Sequence, residues 1–532
     1  EAEEIYRRII AAGTNDHAAY GNLAAICGMQ GGRDELIGLL NEALKLTPNC
    51  PETHCNLGNA LKATGNLDAA IASYKKALKL NPNYPEAHNN LGNALKAQGD
   101  LDAAIVSYRK ALGIKPHFPE ARNNLGNAFQ ECGDFSAAIA SYKKALELKW
   151  NYPEAHNNLG NALREQGSID AAISSYSKAL DLRPNYPEAH NNLGNALWER
   201  GSLDAAIASC KKALELKSNY PEAWNNLGNA LKATGNLDAA IASYKKALKL
   251  NPNYPEAHNN LGNALKAQGD LDAAIVSYRK ALGIKPHFPE ARNNLGNAFQ
   301  ECGDFSAAIA SYKKALELKW NYPEAHNNLG NALREQGSID AAISSYSKAL
   351  DLRPNYPEAH NNLGNALWER GSLDAAIASC KKALELKSNY PEAWNNLGNA
   401  LWGRGNLDAA ISSYSRALGL KSSYPEAHSN LGNALVQYGD LSAAIASYSK
   451  ALQLKPYFPE AQGNLAMTEM LIGDYKRGWE RYEWRLQAKA GQGVLNARPC
   501  CAQWNGDNLS TNDELLLVCE QGLGDTLQFM RY

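Results

Sequence analysis

The chain has 532 residues, a length that would predict three or four domains at roughly 100–200 residues each. Its composition argues against ordinary globular domains, because Phe (8) and Met (4) are scarce while Gly (42) is abundant. Lysine plus arginine (54) and aspartate plus glutamate (55) cancel to a net charge of −1, which excludes a bulk attraction for nucleic acid or for an anionic membrane. No stretch approaches the ~20 apolar residues of a membrane-spanning helix and no signal peptide is visible, so we expect a cytoplasmic protein built from repeats.

When the sequence is written in rows of 34 letters, it falls into register as far as Gln492. Residues 1–16 form a half-row, which predicts the second helix of a truncated repeat unit. Residues 17–492 form fourteen rows, and those after the first begin with a proline, from Pro51 in steps of 34 to Pro459. The last row departs most from the pattern, as is typical of a repeat that caps an array. Positions are counted within a row, so that Pro85 is position 1 and Phe118 is position 34.

Each row predicts two helices. Pro85 suits the first turn of a helix, where its missing N–H leaves no hydrogen bond unmade. Gly99 supplies the left-handed residue that ends this helix, and Asp100 can cap the N-terminus of the second helix, which Pro116 ends. A single hairpin of this size cannot bury its apolar face alone, so its stability must come from stacked neighbours.

Small and apolar residues recur at helical spacing within the two predicted helices. In the row from Pro85 they are Leu91, Gly92, Leu95, Ala104, Tyr108 and Ala111. We expect Gly92 to face Ala104, so that the two helices approach closely, and Tyr108 to fill the space toward the next row.

These positions resemble the tetratricopeptide repeat (TPR) family, a helix–turn–helix motif of about 34 residues. The matching residues of this row are His88, Leu91, Gly92, Ala104, Tyr108, Ala111 and Pro116. The departures are Leu95 and its equivalents, where the family usually has Tyr, and Cys210 and Cys380 in place of the second-helix Tyr. The resemblance covers about nine-tenths of the chain and implies an all-α, right-handed superhelix of stacked hairpins whose first helices line a concave groove.

A longer repeat is superimposed on the rows. Residues 56–231 are identical to residues 226–401, a shift of five rows. Because two independently selected copies would have diverged at surface positions, complete identity indicates a recent duplication or deliberate design. Neither origin requires different roles for the two copies.

Asparagine recurs on one face of the predicted first helices. Position 6 is Asn in all fourteen rows: Asn22, Asn56, Asn90, Asn124, Asn158, Asn192, Asn226, Asn260, Asn294, Asn328, Asn362, Asn396, Asn430 and Asn464. Position 9 is Asn in twelve: Asn59, Asn93, Asn127, Asn161, Asn195, Asn229, Asn263, Asn297, Asn331, Asn365, Asn399 and Asn433. An amide offers an acceptor and two donors, so this ladder could match the backbone of an extended peptide without reading its side chains. The alternative is that these amides are family consensus and bond across neighbouring helices.

The groove positions that vary between rows would then set specificity. Position 12 carries Lys62, Lys96, Gln130, Arg164 and Trp198, and position 13 includes Glu131, Glu165 and Glu199. Trp198, Trp368 and Trp402 could anchor an apolar ligand side chain or pack on the neighbouring hairpin. Glu at position 2 (Glu52, Glu86, Glu120) would repel a C-terminal carboxylate, which argues against the carboxylate clamp of chaperone-docking TPR domains.

Neither the cysteines nor the histidines predict chemistry. The ten cysteines form no CxxC pair and no zinc-like spacing, which favours small buried roles in a reducing compartment and no metal. The recurrent His88, His156 and His190 stand where other rows carry Trp224 or Arg122, which indicates packing and not catalysis. No catalytic residue and no cofactor is therefore predicted.

After Gln492 the register of the rows stops, and residues 493–532 predict a different structure. Residues 514–519 (ELLLVC) form a candidate strand, and a turn with Gly522, Gly524 and Asp525 leads into a candidate helix that ends at Tyr532. Such a Rossmann-like turn can place backbone N–H groups against a phosphate or sugar. With the WERYEWR segment before it, this tail resembles the junction of bacterial TPR proteins with a glycosyltransferase-like domain, and the rows are similar to the superhelix of O-GlcNAc transferases.

These observations predict a non-catalytic scaffold that binds extended peptide or protein segments in an Asn-lined groove. The alternative is the substrate-recruiting arm of a protein glycosyltransferase whose catalytic domain is truncated at Tyr532. A third possibility is end-to-end self-association, because an array cut within a row exposes its terminal apolar face.

Overall fold

All secondary structure described by the computed structural model, which covers residues 2–482, is α-helical. The chain divides into two compact units, residues 1–286 and 287–532. The helices of unit 1 are α1 Ala2–Ala11, α2 His17–Gln30, α3 Arg33–Leu46, α4 Pro51–Ala63, α5 Leu67–Leu80, α6 Pro85–Gln98, α7 Leu101–Ile114, α8 Pro119–Glu131, α9 Phe135–Leu148, α10 Pro153–Glu165, α11 Ile169–Leu182, α12 Pro187–Glu199, α13 Leu203–Leu216, α14 Pro221–Ala233, α15 Leu237–Leu250, α16 Pro255–Gln268 and α17 Leu271–Ile284. Those of unit 2 are α18 Pro289–Glu301, α19 Phe305–Leu318, α20 Pro323–Glu335, α21 Ile339–Leu352, α22 Pro357–Glu369, α23 Leu373–Leu386, α24 Pro391–Gly403, α25 Leu407–Leu420, α26 Pro425–Tyr438, α27 Leu441–Leu454, α28 Pro459–Leu471 and α29 Tyr475–Tyr482.

The predicted all-α architecture of stacked hairpins is confirmed within each unit. From α2/α3 onward, successive helices pair into hairpins that repeat with the period of the sequence rows. The described residues end within the last row, so the assignment of residues 17–492 to fourteen motifs stays a prediction. The reading of residues 1–16 as a truncated motif also stays one, and α1 occupies that segment.

The helix boundaries in the row from Pro85 follow their local signals. Pro85 is the first residue of α6, and Gly99 ends that helix with φ 92° while its N–H bonds the carbonyls of Leu95 and Lys96. The Asp100 carboxylate accepts a hydrogen bond from the N–H of Ala103, at 3.1 Å, and so caps α7. Both predicted caps are confirmed.

The core of each hairpin is built from alanine and tyrosine. Ala104, Tyr108 and Ala111 are fully buried in α7, as the helical spacing predicted. A Cβ added at Gly92 would lie 2.6 Å from the ring of Tyr108, which is the side chain nearest to this glycine. In the row with Cys210, a Cβ at the equivalent Gly194 would also lie 3.2 Å from the carbonyl of Ala206, the equivalent of Ala104. Tyr108 therefore fills the space within its own hairpin, and the missing side chain of Gly92 makes room for its ring.

The predicted strand at residues 514–519 and the rest of segment 493–532 lie outside the described residues. Among the described helices, none combines the length and hydropathy that a membrane crossing requires.

Candidate functional site on the first helices

The position 6 amides join neighbouring rows. In unit 1, Asn124 Nδ2 donates to Oδ1 of Asn89 at 3.0 Å, and Asn192 Nδ2 donates to Oδ1 of Asn157 at 3.0 Å. The same bond recurs in unit 2, for example from Asn362 to Asn327. Its acceptor is the position 5 Asn of the preceding row, a buried residue that the sequence interpretation passed over. One Nδ2 donor of the position 6 amide is thus occupied by the fold.

The position 9 amides are tied to the core tyrosines. Tyr108 donates its hydroxyl to Oδ1 of Asn93 at 2.7 Å, and Tyr346 donates to Oδ1 of Asn331 at 2.8 Å. Burial raises the pKa of Tyr108 well above its usual value, so the hydroxyl keeps its proton and acts as a donor. The Asn side chain is therefore what satisfies a hydroxyl that has no access to water.

Part of the position 9 amide has no internal partner in the row from Pro85. Asn93 is half-buried, and its Nδ2 makes no hydrogen bond to any described residue. In this row one half of the position 9 amide holds the fold and the other half has no partner among the described residues. Position 6 amides such as Asn192 use both halves internally, because Oδ1 accepts from Asn191 while Nδ2 donates to Asn157.

Two rows differ because cysteine replaces the core tyrosine. Cys210 and Cys380 are fully buried and carry no hydroxyl that could reach Asn195 or Asn365. Oδ1 of Asn365 accepts no hydrogen bond within the described residues, and its Nδ2 makes only a long contact of 3.5 Å to Glu369. The cysteine rows therefore present an amide acceptor that the tyrosine rows use internally.

Asn365 lines a cavity of about 730 Å³ in unit 2. Four consecutive first helices, α22, α24, α26 and α28, form its walls. Its amides are Asn365, Asn395, Asn396, Asn399, Asn430, Asn433 and Asn464, and its aromatic side chains are Trp368, Tyr424 and Phe458. The predicted Asn residues of this region thus come together around one concave surface.

Two of the carboxylates beside this face are neutralised locally. Lys455 Nζ lies 3.2 Å from Glu426 and 4.7 Å from the ring centre of Phe458, so one lysine bridges a position 2 Glu and an aromatic ring. In unit 1, the Lys115 ammonium beside Glu86 holds the pKa of that carboxyl below its usual range. The charge of these two position 2 carboxylates is therefore offset by paired lysines. Glu369 and Glu460 also line the cavity, where Glu369 lies 3.9 Å from Arg334 and Glu460 forms no ion pair with a described residue.

The variable positions 12 and 13 form ion pairs between rows. Lys96 pairs with Glu131 at 2.6 Å, and Arg164 lies 3.8 Å from Glu199. Trp198 and Trp368 are partly buried against the alanine core, and Trp368 also borders the cavity. Both tryptophans pack on neighbouring hairpins, and Trp368 also leaves an edge toward the groove face.

The recurrent histidines hold the loop before their own helix. His190 Nε2 lies 2.9 Å from the carbonyl of Pro184, and Trp224 donates its indole N–H to Ser218 in the same way. This shared contact explains why His and Trp interchange at position 4. Cys132 and Cys302 are exposed, contrary to the expectation of buried cysteines, because they follow the last residues of α8 and α18. Within residues 2–482, no three His, Cys, Asp or Glu side chains are grouped to hold a metal.

The predicted sugar or phosphate turn, Gly522, Gly524 and Asp525, lies outside the described residues. It therefore adds no geometry to the site on the first helices.

Comparisons with known proteins give the same fold. A family model described as TPR repeat matches ten segments in succession, residues 58–99, 92–133, 126–163, 160–201, 194–235, 228–269, 262–303, 296–337, 330–371 and 364–405. A model described as tetratricopeptide repeat matches residues 395–459. Among solved structures, a chain of the crystal structure of the APC/C hetero-tetramer Cut9-Hcn1 is similar, with a TM-score of 0.51 and 16% identity over 88% of this chain and 100% of that one. No curated protein matches the sequence.

Proposed function

The chain belongs to the tetratricopeptide repeat family, and from this premise we propose that it is a non-catalytic scaffold that binds an extended peptide or protein segment on the Asn-lined face of its first helices. The observation that carries the proposal is the cavity around Asn365, where amide groups and aromatic side chains share one concave surface. The similar chain from an APC/C hetero-tetramer is itself part of a protein assembly, which is in keeping with such a role.

The chemistry of the cavity fits a peptide backbone. The unused Oδ1 of Asn365 can accept a peptide N–H, and the outward Nδ2 groups of position 9 amides can donate to peptide carbonyls. Trp368, Tyr424 and Phe458 offer apolar surface to alternate side chains of the same segment. Lys455 neutralises Glu426, whereas Glu369 and Glu460 leave the cavity with negative charge that disfavours an acidic segment.

The cysteine rows allow a test that leaves the amides themselves intact. Replacing Cys210 and Cys380 by Tyr restores the residue found in the neighbouring rows, whose hydroxyl would bond Asn195 and Asn365. Peptides selected from a random display library on the full chain should then bind about threefold to tenfold more weakly, the value of one hydrogen bond. The control is Cys210→Phe with Cys380→Phe, which fills the same space without a hydroxyl and should retain affinity.

Equal affinity of the Tyr and Phe variants for every selected peptide would contradict the role of the free amide. Helical content measured by circular dichroism should be unchanged in both, so that a loss of binding cannot be attributed to unfolding.

A second candidate function is the substrate-recruiting arm of a glycosyltransferase. It rests on the sequence of the tail, with Gly522, Gly524 and Asp525 after a candidate strand. The gene's reading frame beyond Tyr532 would test it, because a catalytic domain of this type requires a second nucleotide-binding pattern downstream. A reading frame without that pattern would remove this candidate.

A further inference from the structure

A basic pocket lies on the other side of the hairpins, away from the Asn-lined face. It has a volume of about 720 Å³ and is formed by α5, α6, α7 and the loop before α6. Lys75, Lys79 and Lys110 surround a floor made by Leu78, Leu91 and Ile114. No acidic side chain lines it, and none of the three lysines forms an ion pair with a described residue. The pocket thus combines three exposed, unpaired positive charges with apolar surface.

The positive charge of the pocket comes from the residue at position 29, which differs in two consecutive rows from the acidic residue found in several others. In several other rows position 29 is an acidic residue that pairs with the lysine at position 26, as in Lys144–Glu147 at 3.2 Å and Lys212–Glu215 at 3.0 Å. In the row from Pro51 this position is Lys79, which adds a charge where those rows cancel one. In the next row it is Gly113, which leaves Lys110 without a partner and leaves space at the pocket wall.

His88 also lines the pocket and holds the loop before α6. It is 9% exposed, and its Nε2 lies 3.0 Å from the carbonyl of Pro82, so this nitrogen carries the proton. Its Nδ1 is then an acceptor, and it is buried without a hydrogen-bond partner among the described residues. Nδ1 of His326 is buried in the same way in another row, so this nitrogen belongs to the packing of position 4, and the lysines and the apolar surface give the pocket its chemistry.

We propose that this basic pocket binds an acidic peptide segment, with an aliphatic side chain on the floor of Leu78, Leu91 and Ile114 and flanking Asp or Glu carboxylates on Lys75, Lys79 and Lys110. Charge complementarity selects the acidic residues, and the apolar floor selects a peptide over a small anion. An open pocket gives a free phosphate few contacts, whereas a peptide also buries apolar area.

The five-row duplication repeats the residues of this pocket. Residues 75–114 are identical to residues 245–284, so Lys245, Lys249 and Lys280 recreate the three cations, and all of them lie in unit 1. None of these three lysines forms an ion pair within the described part of the chain. We therefore expect two acidic peptides per chain with equal affinity.

The test is a selection of short random peptides on the immobilised full chain. Synthetic copies of the enriched peptides are then titrated against the wild type and against the double variant Lys79→Glu, Lys249→Glu. Peptides that combine acidic and aliphatic residues should lose at least about tenfold in affinity, because each change reverses one charge. Calorimetry on the wild type should give two peptides per chain.

The matched control is the double variant Lys143→Glu, Lys211→Glu, which makes the same charge change at position 25 of rows that already carry a position 29 Glu. It should retain the affinity, and so should Cys380→Tyr, which perturbs only the first-helix face. Equal losses in both double variants would reduce the effect to general electrostatics and overturn the proposal. So would enriched peptides without acidic residues, an absence of peptides sensitive to Lys79 and Lys249, or full displacement of the acidic peptides by dilute inorganic pyrophosphate.

Discussion

The hydrogen bond between a core tyrosine and its position 9 amide can be measured by comparing two asparagines in neighbouring rows. Asn331 accepts from the hydroxyl of Tyr346 at 2.8 Å, and this is its one hydrogen bond within the described residues. Asn365 occupies the same place one row later, where Cys380 has no hydroxyl to offer. We expect Asn331→Ala to destabilise its hairpin and Asn365→Ala to leave its hairpin unchanged.

The expected magnitude follows from the burial of Tyr346, which is fully inaccessible. Leaving its hydroxyl unpaired costs about 1–3 kcal/mol. The higher helix propensity of Ala recovers roughly 0.5 kcal/mol, so the net loss is about 0.5–2.5 kcal/mol and local exchange accelerates roughly 2–70-fold. For Asn365→Ala only the propensity gain and a long contact to Glu369 change, so the effect should stay within about 0.5 kcal/mol.

Hydrogen exchange read by mass spectrometry suits this comparison, because the duplication supplies an internal control. Asn331 has an identical row around Asn161, and Asn365 has one around Asn195. In the wild type, the peptides from the two copies have the same mass and cannot be told apart. A substitution changes the mass of one peptide, so its deuterium uptake can be compared with that of its unchanged twin in the same sample. In the Asn331→Ala variant, equal protection of the substituted peptide and its Asn161 twin would refute the claim that the amide satisfies a buried hydroxyl.

Two further predictions concern glycine and tyrosine. Gly92→Ala should destabilise its hairpin by about 1–3 kcal/mol because the new Cβ meets the ring of Tyr108, whereas Gly113→Ala, which meets no atom within 4 Å, should stabilise by about 0.5–1 kcal/mol. Hydrogen exchange measures both effects when each substituted peptide is compared with its unchanged twin around Gly262 or Gly283. Burial raises the pKa of core tyrosines such as Tyr74 and Tyr142, so their stabilisation is complete below the unfolded value near pH 10 and falls above it by about 1.4 kcal/mol per pH unit for each. Tyrosinate absorbance and helix loss should therefore rise together above pH 10; buried tyrosines that ionise with the helices intact would contradict this.

The helix boundaries could be predicted because their causes are local. Pro85, Gly99 and Asp100 each act on backbone groups within a few residues, and the period of the rows carries the same signals along the chain. The buried alanines followed from helical spacing for the same reason.

The partners of the amides could not be predicted from the same period. Spacing shows which positions are equivalent, but it does not give the offset at which one hairpin lies on the next. That offset brings Asn124 to Asn89, 35 residues back, and Asn158 also to Asn127, 31 residues back. The free amide of Asn365 depends in turn on a residue of the other helix, Cys380, so it becomes visible only when the hairpin is assembled.

The five-row identity has a consequence for how the chain folds. The helices α5 and α15 have the same sequence, so the surface on which α16 docks exists at two places in unit 1. Docking α16 on α5 instead of α15 would loop out about 170 residues, at an entropic cost of about 4.5 kcal/mol plus a constant. The side chains of α5 and α15 cannot distinguish the two registers, although Asn260 of α16 donates to Asn225 of α14, where α4 carries Cys55. The short connection between α15 and α16 therefore makes the main difference. Refolding of this array should therefore depend on hairpins forming in chain order, with out-of-order docking as its characteristic kinetic trap.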